Sequence, residues 1–261
     1  METTHGEVKG IYIDGWLKSN LDILKKNIHK DWDFWFLVDG FERSGKSTLA
    51  TQCALYLDPT FCIDRVVFTP KQFEEAVNKS EKYQAIVWDE AVTGTMAVDY
   101  TKMARTLQKK AIQIGQKNLF IVLVLHSYFE MKKYFAVFRT WFLLHVYVKA
   151  DEENDTFSRG YFEYYDFKKK KNMYVNDKAR RTYTYYEKPN FRGRFVKQYG
   201  VEEQAYREKK SKIESGEEAE RMDEKTFIQE CLIRGMSVKQ IQDYCKYSQR
   251  SLYNINKSLQ N

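Results

Sequence analysis

Proline is scarce, three in 261 residues, and the chain has no low-complexity tract and no repeat of fixed period. That excludes a long extended or disordered arm and a solenoid. Cysteine is equally sparse. Cys53, Cys62, Cys231 and Cys245 have no C-x-x-C spacing, so they read as reduced packing residues of a cytosolic protein, not as metal ligands or a disulfide frame. Long apolar runs are missing too. The best candidates are the strand-sized stretch from Asn118 to Leu125 and the stretch from Ala136 to Val148, which Arg139 interrupts. Neither approaches the about 18 residues of a membrane span, so no membrane insertion is expected. The N-terminus, Met1-Glu2-Thr3-Thr4-His5, lacks a basic segment followed by an apolar core, and the expected location is the cytoplasm.

What the chain does hold is hydrophobic content of 43% and aromatic content of 16%, enough for a sizeable core, and a formal net charge of +7. The charge is uneven. Between Lys168 and Tyr199 eleven Lys or Arg face two acids, Asp177 and Glu187, an excess of 11 − 2 = +9. A partner carrying phosphates would account for such a block.

The most informative stretch is Gly40-Phe41-Glu42-Arg43-Ser44-Gly45-Lys46-Ser47, between the apolar run Phe34 to Val38 and the helix-forming Thr48-Leu49-Ala50. Strand, G-x-x-x-x-G-K-S, helix is the order of a phosphate-binding loop. Phosphate oxygens must approach backbone N–H groups closely, and a side chain at Gly45 would obstruct them. The helix N-terminus holds the anion. Gly40, Ser44, Gly45, Lys46, Ser47 and Thr48 are the expected nucleotide-binding residues, with Lys46 on the β- and γ-phosphates and the Ser47 hydroxyl on Mg²⁺.

A second motif closes the apolar strand Gln84 to Trp88 with Asp89-Glu90, about 43 residues after Lys46. There Asp89 is placed to hold the Mg²⁺ of a nucleotide through water and Glu90 to orient or deprotonate an attacking water. The fully apolar run Leu119 to Leu125 ends in His126-Ser127, where P-loop ATPases place a γ-phosphate sensor; capping of a following helix is the other reading. Arg139, just before the strand Trp141 to Val148, is a candidate arginine finger for a neighbour's site, and Arg105 a second; a solvated arginine is the alternative.

Along the chain an amphipathic helix over Gly15 to Asn27 precedes strands and helices in alternation, which predicts an α/β fold with a mostly parallel sheet and helices on both faces. The segmentation expected is a P-loop ATPase domain over 1–150 and a basic, aromatic-rich β extension over 151–200. A charged exposed helix or linker over 201–222 and a helical unit over 223–261 follow. In the extension Tyr161 to Phe167 and Thr182 to Tyr186 read as antiparallel strands flanking Lys168, Lys169, Lys170 and Lys171, with Arg180 and Arg181 following. Cations interleaved with aromatics suit DNA; a hairpin covering the main domain with its lysines in water suits the pattern equally. The last unit reads as helix-turn-helix-like, with Ile241, Tyr244, Tyr247, Leu252 and Ile255 as core and Gln249, Arg250, Tyr253 and Asn254 toward DNA. Gln242 and Lys246 depart from the residues such turns favour, and a three-helix adaptor for protein contacts is the alternative.

With these motifs in place, the region from Ile11 to Val148 resembles the additional-strand P-loop ATPases of the FtsK–HerA group, and within it the zonular-occludens-toxin-like and viral genome-packaging members. The residues that carry the likeness are Gly40 to Ser47, Ile86 to Glu90, the basic helix before Leu119 to Ser127, and Arg139. His126 departs from the Gln usual in FtsK-type motors. The resemblance implies a ring-forming, ATP-hydrolysing DNA motor of a virus or mobile element, a homo-oligomer acting in the host cytoplasm. A nucleotide-switched DNA adaptor, of helicase-loader or partition type, is the second expectation, and a small-molecule kinase the third.

Overall fold

β1 (Phe34–Gly40) is buried along its whole length. Its run of large apolar residues has no polar alternation because both faces are covered, as in the middle of a parallel sheet. The computed structural model of the chain describes residues 10–89, 96–151, 156–183, 185–214, 228, 232, 237–242, 251–253 and 255. α1 (Gly15–Asn27) starts at Asp14, whose carboxylate accepts from the amides of Trp16 and Leu17. α2 (Lys46–Leu57) follows β1, and Asp58 ends it. β2 (Val66–Val67) leads into α3 (Pro70–Lys79), capped by the Thr69 hydroxyl with Pro70 in the first turn. β3 (Ala85–Asp89), α4 (Met96–Gln116) and β4 (Phe120–Val124) come next. After a π-helical turn at Tyr134–Arg139 the chain forms β5 (Leu143–Asp151), β6 (Thr156–Tyr165), α5 (Phe167–Asp177), β7 (Phe191–Arg194) and α6 (Glu203–Glu214).

These strands make one seven-stranded sheet in the order β2-β3-β4-β1-β5-β6-β7. The pairs β2–β3, β3–β4, β4–β1 and β1–β5 are parallel, while β5–β6 and β6–β7 are antiparallel. The fold is therefore α/β with a mostly parallel mixed sheet, as the alternation predicts. β4 is inserted between β1 and β3, and its register sets Val124 opposite both Val38 and Asp89. The ends of β1, β3 and β4 thus lie level at the C-terminal edge, where open α/β sheets bind ligands at the point where strand order reverses. One face packs Trp35, Leu37, Ile86 and Trp88 against Phe73, Leu107, Phe129 and Phe135; α2 covers the other.

Three expectations need correction. Residues 151–200 are not a separate β extension, since β6 and β7 complete the main sheet and one compact unit runs from Met1 to Ser211. The four lysines do not lie in a hairpin loop. They sit in α5, started by the Asp166 carboxylate accepting from the Lys169 amide, and the described residues of 182–186 form no strand. Helical spacing turns Lys170 inward with Met173 and Tyr174; it is fully buried, and its ammonium donates to the carbonyls of Ala136 (2.8 Å) and Val137 (3.0 Å). Lys170 is thus a core residue and unavailable to DNA. Finally, of the charged exposed helix or linker expected over 201–222, the helix is present as α6 but it is not exposed throughout: Val201 and Tyr206 are buried, and α6 docks by its apolar stripe.

The second unit, Lys212–Asn261, has a small core of Ile228, Val238, Ile241, Leu252 and Ile255, with a short helix at Val238–Gln242. Tyr253 is exposed. Tyr244, Tyr247, Gln249, Arg250 and Asn254 lie outside the described residues, as does Glu90.

Candidate phosphate-binding site

Between the end of β1 and the start of α2 only residues 41–45 turn the chain, and both bounding glycines are required. Gly40 has φ +140°, and a Cβ there would overlap the Val146 carbonyl of β5; Gly45 has φ +105°. Those are conformations that side chains resist. Gly45 is also the N-cap of α2, and no side chain caps the first turn, which carries no acid. The amides at that helix end and the positive end of its dipole therefore remain suited to an anion. Within the loop the Ser44 hydroxyl is fully buried and has no hydrogen-bond partner. An orphaned hydroxyl costs about 1–3 kcal/mol, which a phosphate oxygen would offset.

Lys46 is nearly buried, and its ammonium donates to the carbonyls of Gly40 (2.8 Å) and Phe41 (2.9 Å), bridging the loop it belongs to. Burial lowers its pKa, against the opposing pull of Asp89 and Asp39. Across the edge, Asp89 ends β3 with its carboxylate buried. His126, half-buried beyond β4, has its pKa lowered first by burial and then by the Lys46 charge, and it also feels Glu42, Lys210 and Asp89. Lys46, Asp89 and His126, from three separate strand ends, thus share one electrostatic neighbourhood. The Ser127 hydroxyl does not cap the turn that follows; it hydrogen bonds to Tyr183.

Asp39, one residue before the loop, is a buried hub. It accepts from the Tyr128 amide (2.8 Å) and the Tyr183 hydroxyl (2.5 Å), and pairs with His145 Nδ1 (2.9 Å), while the His145 and Tyr183 rings stack at 3.7 Å. The hub fixes the segment after α5 to the loop's edge of the sheet. In that segment Arg180 stacks on Tyr185 at 4.8 Å, and the exposed Arg181 pairs with Glu130 at 2.8 Å. Lys168 and Lys171 are exposed on α5, and Lys169 donates to the Lys188 carbonyl.

Residues 195–210, which the sequence assigns to the extension and the charged helix or linker and not to the site, cross it. The Phe195 ring lies against Gly45, where an added Cβ would come within 2.9 Å of it. Gln52 of α2 donates to the carbonyls of Val196 and Gln198, and the Gly200 amide donates to Thr51. α6 then places the buried Tyr206 hydroxyl 2.5 Å from an Asp89 oxygen and in a hydrogen bond with Ser47. Burial and the Asp89 charge push the Tyr206 pKa far above the ordinary tyrosine value. Val201, Ala205, Tyr206 and Lys209 recur at helical spacing, a legible stripe that the surrounding charges conceal.

Among the described residues no cluster of three or more His, Cys, Asp or Glu could hold a metal unaided. Asp89 and Ser47 nevertheless converge on a single atom, the Tyr206 oxygen. One carboxylate and one hydroxyl, both hard oxygen donors, suit Mg²⁺ carried by phosphates, which keeps most of its ligands as water or phosphate oxygen. Arg139 is not brought to this edge. It lies at the opposite end of the strands, paired with Asp33 and 4.4 Å from the Trp35 ring. No protein-family model and no curated protein matches the chain.

Proposed function

We propose that the chain is an ATP-hydrolysing DNA motor of the additional-strand P-loop type, serving a virus or mobile element in packaging or translocating DNA. The observation that carries this reading is the meeting of Lys46, Ser47, Asp89 and His126 at one sheet edge, with β4 inserted between β1 and β3. In that arrangement Ser47 and Asp89 would hold Mg²⁺, which neutralises charge on the transferred phosphate. Lys46 leaves the carbonyls of Gly40 and Phe41 for phosphate oxygens. The α2 amides and the Ser44 hydroxyl cradle the remaining oxygens, His126 reports on the terminal phosphate, and Glu90 orients the attacking water.

DNA is assigned to the cationic residues Lys168, Lys169, Lys171, Arg180 and Arg181, the last two tied through Asp39 and Tyr183 to the loop's own edge; Arg250, outside the described residues, is proposed for DNA separately, within its own unit. Exposed Tyr185 and Tyr186 beside Arg180 suit stacking on bases or sugars. Arg139, held at the far edge by Asp33, is suited to a finger only across a subunit boundary, as in a homo-oligomeric ring. No described helix is long and apolar enough to cross a membrane, and the cytoplasm is the proposed location. A second reading, a nucleotide-switched DNA adaptor with slow turnover, draws on the engagement of Asp89 by Tyr206. DNA-stimulated ATP hydrolysis separates them: the motor reading requires stimulation by DNA and loss of turnover in Glu90→Gln, and hydrolysis indifferent to both overturns it.

A further inference from the structure

Tyr206 sits where the two proposed metal-holding side chains converge. Its hydroxyl donates to Asp89 at 2.5 Å and is hydrogen bonded to Ser47. A phenol and a hydrated Mg²⁺ cannot both occupy that point, since both need the same Asp89 and Ser47 oxygens at contact distance. The ring cannot simply swing aside. It is 3% exposed and packed between Phe68 (5.8 Å) and Tyr199 (4.8 Å). α6 is further pinned by Lys209, whose ammonium donates to the carbonyls of Ile63, in the turn before β2, and Val66, the first residue of β2. One turn from Tyr206, Lys210 adds its charge to the neighbourhood of Lys46 and His126.

Resting on the nucleotide reading above, we infer that Tyr206 is a displaceable stopper of the metal position. Loading of Mg²⁺·ATP expels its hydroxyl from Asp89 and Ser47 and releases α6 from its seat, so the segment 203–211 reports nucleotide occupancy. The energy comes from exchange of a neutral donor for a divalent charge at a buried carboxylate. α6 is then ordered in the nucleotide-free chain and loosened in the loaded one.

The test uses the full chain, its Tyr206→Phe and Lys46→Ala variants, and ATPγS with Mg²⁺ or with EDTA. Phe keeps the ring packing against Phe68 and Tyr199 and removes only the hydroxyl, so the fold is retained. Expected are amide hydrogen exchange across 203–211 at least about tenfold faster in Mg²⁺·ATPγS, no such change in EDTA or in Lys46→Ala, and binding of Mg²⁺·ATPγS about tenfold tighter by Tyr206→Phe, the worth of one hydrogen bond to a charged group. Binding by the unmodified chain with unchanged or slower exchange in 203–211 overturns the stopper alone. Equal or weaker binding by Tyr206→Phe also overturns it. Failure of the unmodified chain to bind Mg²⁺·ATPγS at all overturns the nucleotide reading and the stopper with it.

Discussion

The α-carbon of Gly40 lies against the main-chain carbonyl of Val146, so the last residue of β1 and the neighbouring strand β5 meet with no room for a side chain. The loop that follows is launched from that contact.

Substitution at Gly40 therefore acts on stability as well as on the loop. Gly40→Ala must overcome both the φ of +140° and overlap with backbone. It is expected to lower the unfolding free energy by more than about 2 kcal/mol in urea titration. Gly115→Ala, in α4 with nothing within 4 Å of an added Cβ, is the contrasting case, expected to gain about 0.5–1 kcal/mol from helix propensity.

The Asp39 hub carries a second prediction. Removing the Tyr183 hydroxyl leaves a fully buried carboxylate short of one donor, so Tyr183→Phe should cost about 1–3 kcal/mol. Asp39→Ala, which strands Tyr128, Tyr183 and His145 together, should cost about 3–5 kcal/mol. Chemical denaturation monitored by far-UV dichroism measures both. A change below about 0.5 kcal/mol in Asp39→Ala would contradict the hub.

Lys170 gives stability a pH dependence of defined sign. Burial lowers its pKa from 10.5 to about 7. Between those values the unfolded chain holds a proton that the folded chain has released, so stability rises with pH through this window, by up to about 1.4 kcal/mol per pH unit from this group. The comparison is of unfolding free energies at pH 7 and pH 9 for the natural chain and Lys170→Met. The variant should lack the added rise, and parallel profiles would contradict the assignment.

His126 titrates below an ordinary histidine, chiefly through burial and next through Lys46. Removing that ammonium in Lys46→Met should raise the His126 pKa, as followed by the ring resonances in a ¹H–¹⁵N titration. An unmoved or lowered value would place the two groups apart.

Much of this was legible in the sequence because it rests on local pattern. The apolar strands, the strand-turn-helix order around residues 40–47 and the helix over Gly15 to Asn27 each follow from short-range chemistry that the fold reproduces. The strand order was legible only as a parallel sheet; the insertion of β4 beside β1 comes from long-range pairing. α5 was hidden because four consecutive lysines resemble a solvated loop, whereas the Asp166 cap and the buried face of residues 170, 173, 174 and 177 make a helix that buries one of them. Tyr206 was hidden for a related reason. One aromatic among Glu203, Arg207, Glu208, Lys209 and Lys210 looks incidental until tertiary contact brings it to Asp89, 117 residues earlier in the chain.

The most direct test of the central claim is equilibrium binding of a fluorescent ATP analogue to the full chain and to Lys46→Ala, with and without Mg²⁺. Saturable, Mg²⁺-enhanced binding that weakens at least about a hundredfold in Lys46→Ala is the predicted result. Binding that is absent from the natural chain, or equal in the two proteins, would contradict it.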